Sequence, residues 1–246
     1  MVTTWSVVVA LLGGASQTAA HEPGLLDPNR ATPGIQLELI EVPASETPGA
    51  EAPGYRIAAT GLPAGLVVNV WTKPFGHGFH EVASGLHVDE SGRLLSAHRG
   101  KDAGPRYLDQ IVFRPEPEPY PRGAIWQVAL ASDDRTVASF TKVIPRPIVG
   151  RDGPCVVSLE LVSHRGDRFL VSGSGFAPGD DVTIESRYSG RVSKKPQRAS
   201  ATGLLPAELI SHAALGDDRS AFYSVKGRNC EVTLAYWWGE PALRGR

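Results

Sequence analysis

Short apolar runs and turn residues alternate along most of the chain. Tyr55-Arg56-Ile57-Ala58-Ala59, Val68-Asn69-Val70, Trp126-Gln127-Val128-Ala129-Leu130, Arg168-Phe169-Leu170-Val171-Ser172 and Val182-Thr183-Ile184 are β-prone stretches, most of them apolar at every second position. That is the period of a strand with one face buried. Gly and Pro punctuate these runs, and their totals of 27 and 20 disfavour a helical bundle. One window, Leu204 to Leu215, also fits a helix with Pro206 near its start, although a strand plus loop fits it equally. The pattern predicts an all-β chain.

One of these strand-turn-strand segments occurs twice. Thr60-Gly61-Leu62-Pro63-Ala64-Gly65-Leu66-Val67-Val68-Asn69-Val70 aligns without gaps with Ser174-Gly175-Phe176-Ala177-Pro178-Gly179-Asp180-Asp181-Val182-Thr183-Ile184. Further on, Gly92-Arg93-Leu94-Leu95 and Gly203-Leu204-Leu205 are turn-then-strand segments at matching places. The first match is offset by 114 residues, about one β-sandwich domain. The copy Gly175-Phe176-Ala177-Pro178-Gly179-Asp180-Asp181-Val182-Thr183-Ile184 resembles the strand-corner-strand signature of bacterial immunoglobulin-like repeats of exported proteins. The first copy departs from it, with Pro63 one place early. The resemblance implies two tandem immunoglobulin-like β-sandwich domains. It implies no catalytic residue, because such modules share none.

The expected division is a signal peptide at 1–20, a Pro/Gly-rich lead at 21–35, a first domain at 36–147, a linker at 148–154, a second domain at 155–241 and a tail at 242–246. The first domain should close on a hairpin, Ala124 to Leu130 and Thr136 to Val143, turning at Asp133-Asp134. Pro115, Pro117, Pro119 and Pro121 read as a stiff connector or blocked edge, or else as a polyproline ligand. At the N-terminus, Trp5-Ser6-Val7-Val8-Val9-Ala10-Leu11-Leu12 followed by small residues reads as a secretory signal cleaved after Ala20, or as a buried first strand. It is too short to span a bilayer, and no other window is apolar for long enough. An exported chain meets an oxidising compartment, so its only two cysteines, Cys155 and Cys230, are expected to form a disulfide joining the first and last strands of the second domain. The expected location is periplasmic or extracellular.

Charge narrows the partners. Lys plus Arg is 25 against Asp plus Glu 26, which excludes a dedicated nucleic-acid binder. Arg187, Arg191, Lys194, Lys195 and Arg198 nevertheless put five cations in twelve residues with no acid between them. They read as a solvated hairpin or loop, or as a contact for an anionic surface. Near the C-terminus Trp237 and Trp238 are adjacent, so in a strand one enters the core and the other faces out. These seven residues are the candidate ligand contacts, with an envelope protein, a glycan or an anionic surface as partner. For chemistry, His77, His80 and His87 with Asp89 are the candidate metal ligands, Glu81 and His98 lying nearby. They would meet across a hairpin turning near Ala83 to Gly85. Ser172-Gly173-Ser174-Gly175 is not a nucleophile elbow, since Leu170 or Ser172 occupies the place of the first Gly. No cofactor is expected. The sequence thus reads as an exported, non-catalytic binding or structural module of the cell envelope, with a metal-dependent hydrolase or metal-binding protein as the alternative.

Overall fold

The computed structural model describes residues 26–43, 49, 52–96, 106–213 and 217–245. The expected signal peptide, His21 and His98 lie outside the described residues. Strands hold 52% of the chain and helices 5%, so the all-β expectation is met. Among the described residues four antiparallel sheets form, two in each half of the sequence.

The N-terminal half pairs strands β1 (Gln36–Glu41) and β2 (Tyr55–Thr60) in one small sheet. Its second sheet runs in the order β6-β5-β4-β3-β7-β8, from β3 (Val67–Lys73), β4 (His80–Val88), β5 (Leu94–Ser96), β6 (Arg106–Tyr107), β7 (Trp126–Ser132) and β8 (Ala138–Val143). Alternation decides what is buried. Val68, Val70, Leu86, Val88, Trp126, Val128 and Leu130 turn inward to meet Tyr55 and Ile57, and the rings of Tyr55 and Trp126 lie 5.6 Å apart. The hairpin β7–β8 forms as expected. Its turn is fixed by Asp134 Oδ1, which accepts from the Thr136 amide (3.1 Å) and the Ser132 hydroxyl (2.6 Å). The four prolines lie in the connector between β6 and β7. Tyr120 anchors it from inside, its hydroxyl accepting from Phe75 N and donating to Ile125 O, both at 2.8 Å.

The C-terminal half is a β-sandwich. One sheet has the order β14-β11-β10-β9, from β9 (Ile148–Asp152), β10 (Cys155–Leu161), β11 (Arg168–Ser174) and β14 (Leu205–Ser211). The other has the order β13-β12-β15-β16, from β12 (Asp181–Tyr188), β13 (Arg191–Arg198), β15 (Ser220–Lys226) and β16 (Glu231–Trp237). Val157, Leu159, Leu161, Phe169 and Val171 of the first face Val182, Ile184, Tyr223, Val225, Val232 and Leu234 of the second. Residues 205–211 take the strand option, pairing with β11 from Arg168↔Ser211 onward. Helix is confined among the described residues to a turn at Glu240–Leu243 and two short 3-10 segments.

Two expectations are corrected. Residues 148–154 are not a linker, because Ile148–Asp152 is strand β9, folded back on β10 by the two-residue turn Gly153-Pro154. A strand fits there because Gly150 has no side chain. A Cβ at that position would meet Val232 Cγ1 at 2.8 Å and Leu234 Cδ2 at 2.9 Å. Likewise, no turn forms at Ala83 to Gly85. Strand β4 runs through it, with the β3–β4 register slipping beside Val70 and Gly85 N donating to Asn69 Oδ1 (2.9 Å). Here the glycine accommodates a bulge, not a reversal. The chain reverses instead at Asp89–Arg93, where Asp89 Oδ1 accepts from the amides of Ser91 and Arg93, each at 2.9 Å.

Cys155 and Cys230 form the expected disulfide, with Cα atoms 6.4 Å apart. Cys155 opens β10 and Cys230 immediately precedes β16, so the bond ties the two sheets together at one end of the sandwich. Two carboxylates hold the same end. Buried Asp180 accepts from the Arg228 amide and Asp152 accepts from the Glu231 amide, both at 2.8 Å. The bond closes a span of 75 residues, for which chain entropy gives up to ~4.5 kcal/mol. Replacing both cysteines with Ala should therefore cost the C-terminal half about 3–4 kcal/mol. Hydrogen exchange should show faster amide exchange in β9–β16 and little change in β1–β8. Equal loss of protection in both halves would contradict this assignment.

Candidate ligand-binding face

The register of the second sheet sorts its side chains into rows. Arg187 pairs with Val192 on β13 and with Phe222 on β15, and Phe222 pairs with Ala235 on β16. One step along, Glu185 sits between Lys194 and Ser224, and Ser224 faces Thr233. On the other side Ser220 faces Trp237. All of these lie on the face turned away from the core, because Val182, Ile184, Ala221, Tyr223 and Val225 occupy the inward positions between them. Three of the largest apolar groups in this outer set are left in solvent: Val192 at 59%, Phe222 at 48% and Trp237 at 42% exposure. Phe222 and Trp237 are diagonal neighbours on adjacent strands, about 7–8 Å apart at the backbone. A cleft of about 450 Å³ runs over this face, with Phe222, Arg187, Arg191 and Asp218 among its walls.

The seven expected ligand contacts separate on this scaffold. Arg187, Arg191 and Val192 line the cleft, and Lys194 stands beside it on the same face. Lys195 points the other way, to an ion pair with Glu208 of β14 that bridges the two sheets. Arg198 reaches back to the Gly179 carbonyl at 3.2 Å. Trp237 is the outward tryptophan, whereas Trp238 is only 3% exposed and belongs to the core. The five cations are thus one strand pair, not a loop, and only part of the set shares a surface.

The electrostatics of the cleft are mixed. Glu185 takes an ion pair from Arg187 and another from Lys194 at 2.9 Å. Hydrogen bonds from Lys194 and then Arg187 hold its carboxyl below the usual glutamate range. Lys226 pairs with Glu231 at 3.0 Å. Asp218 accepts from the Ser220 amide and hydroxyl at 2.8 and 2.7 Å, which lowers its pKa as well. Arg191 is the cleft cation with no ion pair among the described residues.

No family model matches the chain, and no curated protein does.

The candidate metal ligands are not brought together. His80 opens β4 with Nε2 3.1 Å from Thr72 Oγ1, its cross-strand partner. His87 is seven residues along the same strand, about 23 Å away if extended. His77 sits in the turn before β4, and Asp89 spends its Oδ1 on the turn after it. Among the described residues no three His, Cys, Asp or Glu side chains are grouped for a metal.

Behind the cleft lies a residue that sequence reasoning missed. His212, just past β14, is 7% exposed and ringed by Phe169, Tyr188, Tyr236 and Trp238, with ring centroids 4.7–6.0 Å away. Its Nε2 is 2.9 Å from Tyr236 Oη. Arg219 lies over the far side of the cluster, 4.7 Å from the Trp238 ring. Tyr188 belongs to both cluster and cleft wall. The sequence signal was a lone His at a strand end, which does not announce burial. Desolvation lowers the His212 pKa from 6.5 to about 4, against the opposing pull of Asp167. The unfolded chain therefore binds a proton that the folded one refuses between those values, and stability falls as pH drops from about 6.5 toward 4. The expected loss between pH 6.5 and 4.5 is about 2 kcal/mol. It should appear in denaturant melts of the wild type and flatten in His212→Gln, and an unchanged slope in that variant would refute the assignment.

Proposed function

We propose that this chain is an exported, non-catalytic binding module of the cell envelope, built from two tandem immunoglobulin-like sandwiches. On this reading it meets its partner with the outer face of the sheet β13-β12-β15-β16. The observation that carries the reading is the exposed row Val192–Arg187–Phe222–Ala235 with Trp237 diagonal to it. Solvent-facing aromatics beside a fixed guanidinium are the residue types that dominate binding energy at interfaces. Duplication is supported by the matching sheet orders β4-β3-β7-β8 and β13-β12-β15-β16. Export is supported by the Cys155–Cys230 disulfide, which suits an oxidising compartment. Among the described residues no helix is long and apolar enough to cross a membrane.

The test is co-sedimentation of the purified chain with isolated cell-envelope material. Phe222→Ser combined with Trp237→Ser should release the protein into the supernatant. Leu209→Ser, an equally exposed apolar position on the opposite sheet, should leave sedimentation unchanged. Identical behaviour of the two variants would sink the proposed surface.

A further inference from the structure

We infer that the cleft over this sheet takes a glycan whose pyranose rings carry a single carboxylate. One ring rests on Phe222 and its carboxylate meets Arg191. This rests on the binding-module reading above and adds to it the class of ligand.

The cleft disfavours the other ligand classes. A phosphate-rich polymer or an anionic membrane needs a field of one sign. Here Glu185, Asp218 and Glu231 line the same cleft as Arg187 and Arg191, so a dense polyanion meets repulsion at each step along it. An added peptide strand needs a free edge of backbone donors and acceptors. Edge strand β13 carries Pro196 and the side chains of Lys194, Lys195 and Arg198, features that block edge pairing. The opposite edge, β16, lies against β9 at Gly150. A purely apolar ligand would strip water from the hydroxyls of Ser224 and Thr233, 3.2 Å apart in mid-cleft, without replacing it.

A sugar satisfies each of these features. Its hydroxyls donate and accept, so they suit a surface where carboxylates, hydroxyls and guanidinium groups alternate. The C–H face of a pyranose is a flat apolar plate that fits an exposed aromatic ring, and Phe222 offers one beside Arg187 at the centre of the row. Charge complementarity sets how many carboxylates the cleft itself receives, whatever the length of the glycan beyond it. Arg187 and Lys194 are held by Glu185, and Lys226 by Glu231, which leaves Arg191 to receive one anion. A guanidinium binds a carboxylate through two parallel hydrogen bonds, a geometry specific to that planar group.

The experiment is calorimetric titration of the full chain with four kinds of probe: uronate tetramers (glucuronate, galacturonate and mannuronate), their neutral hexose counterparts, a highly sulfated tetrasaccharide, and phosphatidylglycerol vesicles. At least one uronate tetramer should bind, about tenfold tighter than its neutral counterpart. Arg191→Gln should erase that difference and leave neutral binding intact. Phe222→Ala should weaken both by about tenfold or more. Both positions are exposed, so the variants should melt as the wild type does, and Lys195→Gln should bind as the wild type does. Preference for the sulfated probe or the vesicles overturns the inference, as does insensitivity to Phe222→Ala or failure of every uronate tetramer to bind. If the uronates fail while envelope sedimentation still depends on Phe222 and Trp237, the ligand class is wrong and the surface stands. If sedimentation fails too, both fall.

Discussion

Where β11 passes into β12, a side chain would not fit. Gly175 holds φ at 81°, and a Cβ there would run into the carbonyl of Pro154, which leads into β10. The corner can form only if that position is a glycine. The same constraint appears between β2 and β3. Gly61 holds φ at 79°, and its missing Cβ makes room for the carbonyl of Gly34, which leads toward β1. In each half the glycine lets a chain leave one sheet, cross close over the entry to the strand it has just paired with, and start the other sheet. Everything inward of that corner, from Phe176 to Val182 and Ile184, is placed by it.

The two ends of the C-terminal sandwich are then sealed by different physics. The end at Cys155 is covalent and polar, with the disulfide flanked by amides held on Asp152 and Asp180. The end at Leu161 is aromatic, with His212 enclosed by Phe169, Tyr188, Tyr236 and Trp238. That second end also meets the N-terminal half, where Leu161 N donates to the Gly123 carbonyl at 2.9 Å and Phe75 packs edge-on to His164. With one end bonded and the other occupied, and with β9 lying against β16, broad contact is left to the outer sheet faces. Tyr188 links the aromatic seal to the cleft on one of those faces. Its ring is held from behind, so that wall of the cleft is set before any ligand arrives, which lowers the ordering cost of binding.

Legibility in the sequence followed the range of the interaction. Period-two alternation exposed β2, β3, β7, β11 and β12, because the pattern and the burial arise from the same pleat. The corner repeat was legible because glycine is the residue that positive φ selects. Strand β9 was not, since Ile148-Val149-Gly150-Arg151-Asp152 carries no alternation, and its place depends on pairing with β10 and on the fit of Gly150 under Val232 and Leu234, some eighty residues away. Gly85 misled for a related reason: alone, a glycine cannot say whether it permits a bulge or a reversal. That one of Trp237 and Trp238 faces out came from parity, but which of them does so came only from the fold. Which of the five cations share a face did not come from parity, because Lys195 and Arg198 are turned by Glu208 and Gly179, partners outside their own strand.

The basic strand β13 has two explanations that act on different atoms. As an edge, its exposed backbone would recruit another chain, and Pro196 with Lys194, Lys195 and Arg198 blunts that tendency through the strand's own rim. Most of the charge is consumed in this way and in local ion pairs. Its density in the sequence is therefore a poor measure of any field offered to a ligand. Arg191 differs because it stands where the hairpin turns, past the reach of Glu185 and Glu208. A single guanidinium without an ion pair among the described residues, sharing a cleft with a half-exposed aromatic ring, is more selective than a patch of five. It rewards one anionic group at one distance from an apolar plate, and selectivity of that kind comes from geometry where charge density alone provides only attraction.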